Sequence, residues 1–292
     1  MNRQKPFSIL LIIVALCVAM SCGSDTQEDS VNNEIGNFSA GLREKSPKSQ
    51  GVLEDSVFMI KSKKIDMTGM GFIVKGNILI TSFRVIDSLV DQDKNADLNS
   101  IYITNINNEI FHIKKLLALD IIADLALLEV KDYTGGELLL SNSSYQDSQH
   151  IHLAGFSNQE LEIIDTTNKI NIDAISFSTL YFNKDIKGEG GPLVNEHKEV
   201  VGVAREANNR ILWATKKDLL QEYINEIPYL KPASGNIFER INKEKGLLLA
   251  IGYQKRDKEI LFIIGSMYLR GQKGFERNFG EAMYWLVTAA QK

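Results

Sequence analysis

The pattern of apolar and polar positions changes character several times along this chain. Residues 7–20 form an apolar run preceded by Arg3 and Lys5. Residues 23–50 are rich in Ser, Asn, Gln, Asp, Glu, Lys and Gly, with Phe38 their one aromatic. A segment of that kind cannot bury enough apolar surface to offset the entropy of ordering it, and it reads as a flexible spacer. From Val52 onward, short β-branched and aromatic runs alternate with turn residues. The runs at 56–60, 71–74, 78–81, 101–103, 110–113, 125–130, 151–154, 170–175 and 200–203 each predict a strand. Many short strands with few helical periods between them point to an all-β barrel or sandwich. The period then lengthens. Leu219, Leu220, Tyr223, Ile224 and Ile227 recur at helical spacing, which predicts a helix over 216–227 with one buried face. Pro228, Pro232, Ser234 and Gly235 punctuate the chain. Beyond them 237–253 reads as helical, and 260–271 and 281–290 as two amphipathic helices joined by the polar loop 272–280.

Length and composition narrow this picture only a little. The 292 residues accommodate one sizeable domain plus a smaller element, and 44% hydrophobic residues is ordinary for a globular protein. A formal charge of −4 gives no electrostatic case for nucleic-acid binding. The apolar run at 7–20 is too short to span a bilayer comfortably and, behind its basic start, has the form of a signal-peptide core. The two cysteines are Cys17, inside that run, and Cys22 just after it. Removal of the run leaves no pair for an intrachain disulfide, so the folded part is expected to rely on its apolar core.

Ala19-Met20-Ser21-Cys22-Gly23 resembles a bacterial lipoprotein processing site. The resemblance implies that Cys22 becomes an acylated N-terminus and lipid anchor. The protein would then be exported and tethered to the cell envelope at a periplasmic or outer-membrane surface, without a spanning helix. The alternative is an ordinary secretory signal cut nearby, with Cys22 incidental.

The most diagnostic stretch is Lys187-Gly188-Glu189-Gly190-Gly191-Pro192-Leu193-Val194-Asn195, followed by Val200-Val201-Gly202-Val203. It resembles the nucleophile segment of trypsin-like serine proteases, Gly-Asn/Asp-Ser-Gly-Gly-Pro-Leu. Other pieces of that family's pattern stand in the same order. They are Thr68-Gly69-Met70-Gly71-Phe72-Ile73-Val74, Ile78-Leu79-Ile80-Thr81-Ser82-Phe83-Arg84-Val85-Ile86, and the run Leu119-Asp120-Ile121-Ile122-Ala123-Asp124-Leu125-Ala126-Leu127-Leu128-Glu129-Val130. His152-Leu153-Ala154-Gly155-Phe156 and Ile211-Leu212-Trp213-Ala214-Thr215 with its following helix complete the series. The resemblance implies a mainly β fold of two six-stranded trypsin-like β-barrels over residues 51–228. It puts Arg84 at the position of the catalytic base, Asp124 at the orienting carboxylate, Glu189 at the nucleophile and Lys187 in the oxyanion loop. Arginine keeps its proton under ordinary conditions and cannot serve as a general base. A triad needs base, orienting carboxylate and nucleophile together, so a serine-peptidase activity is not expected. The charges suggest instead an Asp124–Arg84–Glu189 ion-paired cluster, or three side chains pointing separately into water.

The last two helices resemble one Sel-one-like repeat, a relative of the tetratricopeptide hairpin, with Gly265, Tyr268, Gly271, Ala282, Trp285, Ala289 and Ala290 in the family's manner. A lone repeat cannot bury both its faces, so it is expected to pack on 237–253, on the barrels or on a partner. His112, His150, His152 and His197 are the four histidines, and His150 and His152 share a strand face. Without a third ligand nearby they predict no metal site, and no cofactor motif occurs. The domains expected are a signal peptide with anchor cysteine (1–22), a linker (23–50), the double barrel (51–228) and a helical region (229–292). The function expected is peptide or protein binding by an inactive protease fold, with the helical repeat as an interaction module. The alternative is a trypsin-like serine peptidase with atypical catalytic residues.

Overall fold

A computed structural model describes residues 50–63, 69–92, 97–142, 150–157, 160–172, 176–181, 188–208, 211–226, 236–271 and 275–292. The signal peptide, Cys22, most of the linker and Lys187 lie outside the described residues. So do the prolines at 228 and 232. The described part is mainly β: a closed six-stranded barrel, a second six-stranded sheet, and helices toward the C-terminal end.

The barrel is built from β1 (Val57–Ser62), β2 (Gly69–Lys75), β3 (Ile78–Thr81), β4 (Ile101–Thr104), β5 (Ile110–Asp120) and β6 (Leu125–Val130). Its strands run in the order β1-β2-β3-β6-β5-β4, all neighbours antiparallel, and β4 pairs with β1 to close it. The twofold alternation of a strand sends successive side chains to opposite faces. Phe58, Ile60, Ile73, Leu79, Ile103 and Leu128 accordingly gather in one cluster. The intervening Val57, Met59, Phe72, Leu125 and Leu127 meet Phe156, Val194, Val200 and Val203 of the second sheet. Both faces of these strands are therefore buried, which explains why Leu125 to Leu128 shows no apolar–polar alternation.

The second sheet contains β7 (Ile151–Ser157), β8 (Glu160–Ile172), β9 (Ser176–Tyr181), β10 (Pro192–Val194), β11 (Val200–Asn208) and β12 (Ile211–Lys216). The order is β10-β11-β12-β9-β8-β7, and β10 also pairs with β7 through Leu193 with Leu153 and Val194 with His152. Ile151, Leu153, Leu193, Val201, Leu212 and Ala214 form its own small core.

Several elements differ from the sequence expectation. Residues 173–175 of the strand expected at 170–175 lie outside the described residues, and 170–172 are the end of the longer β8, whose stretch Asp165-Thr166-Thr167-Asn168-Lys169 is too polar to announce a strand. Its pairing with β7 and β9 supplies the ladder that its composition does not advertise. Strand β5 runs past residue 113 to Asp120, with register shifts at Ile113/Lys115 and Leu116/Ala118 that obscure the alternation. A short helix α1 (Gln50–Ser56) stands where linker and strand were expected. It is held by Leu53, 1% exposed, and by the Tyr133 hydroxyl donating to Asp55 O at 2.9 Å.

Helix α2 (Phe83–Gln92) follows β3, and α3 (Lys217–Glu226) follows β12. The C-terminal helices are α4 (Ile237–Lys255), α5 (Lys258–Arg270) and α6 (Phe279–Ala290). Each begins at a side-chain cap: Asn236 accepts from Glu239 N–H, Asp257 from Glu259 and Ile260 N–H, and Asn278 from Glu281 N–H. Helix α4 packs against α2 and β5, α5 packs on α4, and α6 on α5. Ile237, Ile241, Leu248, Ile264 and Trp285 thereby join the same cluster as Phe58 and Ile60 of the barrel. The hairpin α5–α6 therefore covers one face with α4, which itself rests on the barrel. No helix among the described residues is long and apolar enough to cross a membrane.

Candidate functional site

The site begins at the turn between β5 and β6. Asp120 Oδ1 accepts the Ala123 N–H at 2.8 Å, which folds the chain back sharply. Asp124 then takes φ of +58°, a left-handed conformation that a short polar side chain tolerates better than a branched one. Its carboxylate is 1% exposed. Oδ1 accepts the backbone N–H of Arg84 at 3.2 Å, in the first turn of α2. Oδ2 lies 3.7 Å from Arg84 Nε and 3.6 Å from Arg205 Nε. The two guanidinium side chains are 20% and 19% exposed, so one buried carboxylate is flanked by two half-buried cations.

Arg205 comes from the other sheet. In the β11–β12 ladder Ala204 opposes Ala214 while Glu206 opposes Trp213, leaving Arg205 as the extra residue of a bulge. A bulge re-aims the side chain it inserts. Here it sends the guanidinium across the seam, with Nη2 3.4 Å from Ile122 O. The same seam carries a bond from Thr215 Oγ1 to Ala123 O at 2.5 Å.

The glycine-rich segment supplies the third wall. Gly191 N–H donates to Gly188 O at 2.9 Å, and Gly190 between them has φ of +82°. A four-residue turn with positive φ at its third position is type II and calls for glycine there. Space demands it as well: a Cβ on Gly190 would stand 2.2 Å from Met70 O and 2.4 Å from Thr81 Oγ1. Glu189 O accepts the Met70 N–H at 2.8 Å, and Gly190 N–H donates to Ala204 O at 2.8 Å. Gly69 is the contact point between the two walls. A Cβ there would lie 2.2 Å from Val85 Cγ2 and 3.0 Å from Glu189 O. The turn bearing Glu189 is thus set against the start of the helix bearing Arg84.

Of the residues singled out in the sequence, Arg84 and Asp124 are brought together and Glu189 stands on the adjoining turn. Lys187 lies outside the described residues. Arg205, which the sequence reading missed, completes the group around Asp124. A guanidinium retains its proton at any ordinary pH, so the groups flanking Asp124 attract and orient charge but cannot abstract a proton. The histidines lie elsewhere: His112 opposes Tyr102, His152 Nδ1 is 2.7 Å from Asp165 Oδ1, and His150 and His197 are exposed. Ser82 is fully buried with its Oγ capping Val85 N–H at 3.4 Å. Among the described residues no group of three His, Cys, Asp or Glu side chains is placed to hold a metal ion.

No protein-family model matches the chain, and no curated protein matches it either. Solved structures do. The crystal structure of the Rv3671c protease from M. tuberculosis in its active form aligns with a TM-score of 0.52 at 14% identity, covering 64% of this chain and 87% of that one. An inactive Ser-to-Ala mutant of the same M. tuberculosis protein aligns with a TM-score of 0.50 at 14% identity, covering 65% of this chain and 94% of that one. At such identity the likeness speaks for the fold alone. That fold is the trypsin-like serine protease fold.

Proposed function

We propose that this chain is a pseudoprotease, with a trypsin-like double β-barrel whose cleft binds a peptide or protein segment without cutting it. The observation that carries the reading is the occupation of Asp124 by Arg84 and Arg205. In a serine protease the buried carboxylate orients a titratable base beside a nucleophile. Here its neighbours are fixed cations, and the turn that would carry the nucleophile carries Glu189. The charges join pieces of both sheets across the cleft, a role in holding the halves together that needs no proton transfer. Residues 1–22 act in this reading as a lipoprotein signal, Cys22 as the lipid anchor at the cell envelope, and 229–292 as a helical region whose Sel-one-like repeat gives a second contact surface.

A fluorophosphonate probe and a casein-turnover assay on the purified protein test the central claim. Neither labelling nor turnover is expected, while fluorescein-labelled casein peptides are expected to bind with an anisotropy change. Turnover that a single substitution in the cleft abolishes would defeat the reading. The anchoring claim is checked separately: an alkyne fatty acid fed to expressing cells should label the wild-type chain and not Cys22→Ala.

A further inference from the structure

Asp120, next to the site, faces two ways. Its Oδ1 holds the Ala123 N–H, and its Oδ2 accepts the hydroxyl of Tyr223 on α3. The turn folded by the first bond presents three groups in succession to the site. Ile122 O receives Arg205 Nη2, Ala123 O receives Thr215 Oγ1, and Asp124 holds the Arg84 backbone N–H and sits beside both guanidiniums. From this we infer that Asp120 is a positioning residue that couples the docking of α3 to the arrangement of Arg84 and Arg205 around Asp124. This regulation matters because of the peptide-binding reading above, but its test needs no ligand.

The surroundings of Asp120 suit such a relay. Burial pushes the Tyr223 phenol far above its ordinary value, and the carboxylates of Asp120, Glu226 and Glu244 add to that. Tyr223 therefore remains a proton donor across the accessible pH range. Helix α4 brings a second carboxylate, Glu244, whose protonation is favoured first by burial and also by Asp120, against the opposing Arg240 and Lys243. Arg240 Nε stands 3.2 Å from Glu244 Oε1. The bond between Tyr223 and Asp120 is part-buried, where water replaces a lost partner poorly, so its loss releases the turn measurably. The simpler account is a staple: Tyr223 fastens α3 to the barrel and nothing passes further.

Amide hydrogen exchange and arginine Nε–Hε resonances of the full chain separate the two accounts. Tyr223→Phe keeps the ring and removes the donor. Coupling requires the Ala123 and Arg84 amides to exchange roughly tenfold faster in this variant, and the Arg84 and Arg205 Nε–Hε resonances to shift. Val203 in the second sheet should stay unchanged. Asp120→Asn keeps the shape and one acceptor oxygen for the Ala123 N–H, and its amide NH2 can donate to the Tyr223 oxygen, so exchange at Arg84 should stay near wild type, whereas Asp120→Ala should accelerate it. Adding Tyr223→Phe to Asp120→Ala should change Arg84 no further, since the two residues act through one bond. Faster exchange confined to α3 amides such as Leu220 and Ile224 would overturn the inference in favour of the staple. A uniform rise at all amides would also overturn it, as general loosening. Failure of casein peptides to bind leaves this result standing, and the reverse holds as well.

Discussion

Asp124 accepts one backbone donor and faces two side-chain cations from a position almost out of water. Removing it takes the buried counter-charge away from two guanidiniums that have already lost part of their hydration. Asp124→Ala is therefore expected to lower stability by about 3 kcal/mol, the low end for a broken buried pair because each arginine keeps some exposure. Urea unfolding midpoints measure it, and a loss within error of zero would mean that the ion pairs contribute nothing. Gly190 makes a sharper case. Its φ of +82° and the 2.2 Å approach to Met70 O leave no room for a methyl group. Gly190→Ala is expected to cost more than about 1 kcal/mol and to displace the turn carrying Glu189. Exchange at the Met70 amide, which donates to Glu189 O, should accelerate with it. Arg84, Asp124 and the glycine turn were legible in the sequence because the segments that hold them resemble the trypsin-like pattern. Arg205 was not. It follows an unremarkable apolar run, and its place in the site depends on a one-residue bulge and on the meeting of two sheets, neither of which a linear pattern records.

Among the elements, the strands of the first barrel, β5 beyond residue 113 excepted, were read from their β-branched runs, and the C-terminal helices from their periodicity. Strand β8 escaped because its ladder partners, not its polar residues, make it a strand. Helix α1 escaped because about two turns anchored by Leu53 leave no periodic trace. Helix α4 carries a prediction of its own. Burial and the neighbouring Asp120 hold Glu244 above its ordinary carboxylate value, outweighing Arg240 and Lys243. A raised folded-state value means that the protonated form is favoured in the folded protein. The resulting stabilisation is complete below the ordinary value of 4.5 and disappears as pH rises through the folded one. Glu244→Gln should therefore raise stability at neutral pH relative to wild type and flatten the pH dependence above the ordinary carboxylate range. Urea midpoints across that range check it, and an unchanged slope would remove Glu244 from the account. In the hairpin, a Cβ on Gly265 would lie 2.7 Å from Leu286 Cγ and 3.1 Å from Leu286 N. Gly265→Val is expected to cost about 2 kcal/mol by forcing α5 and α6 apart, seen as a lower midpoint for Trp285 fluorescence.

At the scale of the whole molecule, the shared cluster that runs from Phe58 through Ile241 to Trp285 argues that barrel and helices melt together. Calorimetry is expected to show one transition for both. A separate low-temperature transition that vanishes on deleting residues 236–292 would show the helices to be an independent unit. The sandwiching of α2 between the barrel and α4 has a mechanical consequence. Arg84 sits in the first turn of that helix, so traction applied through the C-terminal helices is felt at the cleft before the far sheet is strained. In an optical-tweezers experiment, the earliest rip should release the α4 contact and alter the cleft while the second sheet still carries load.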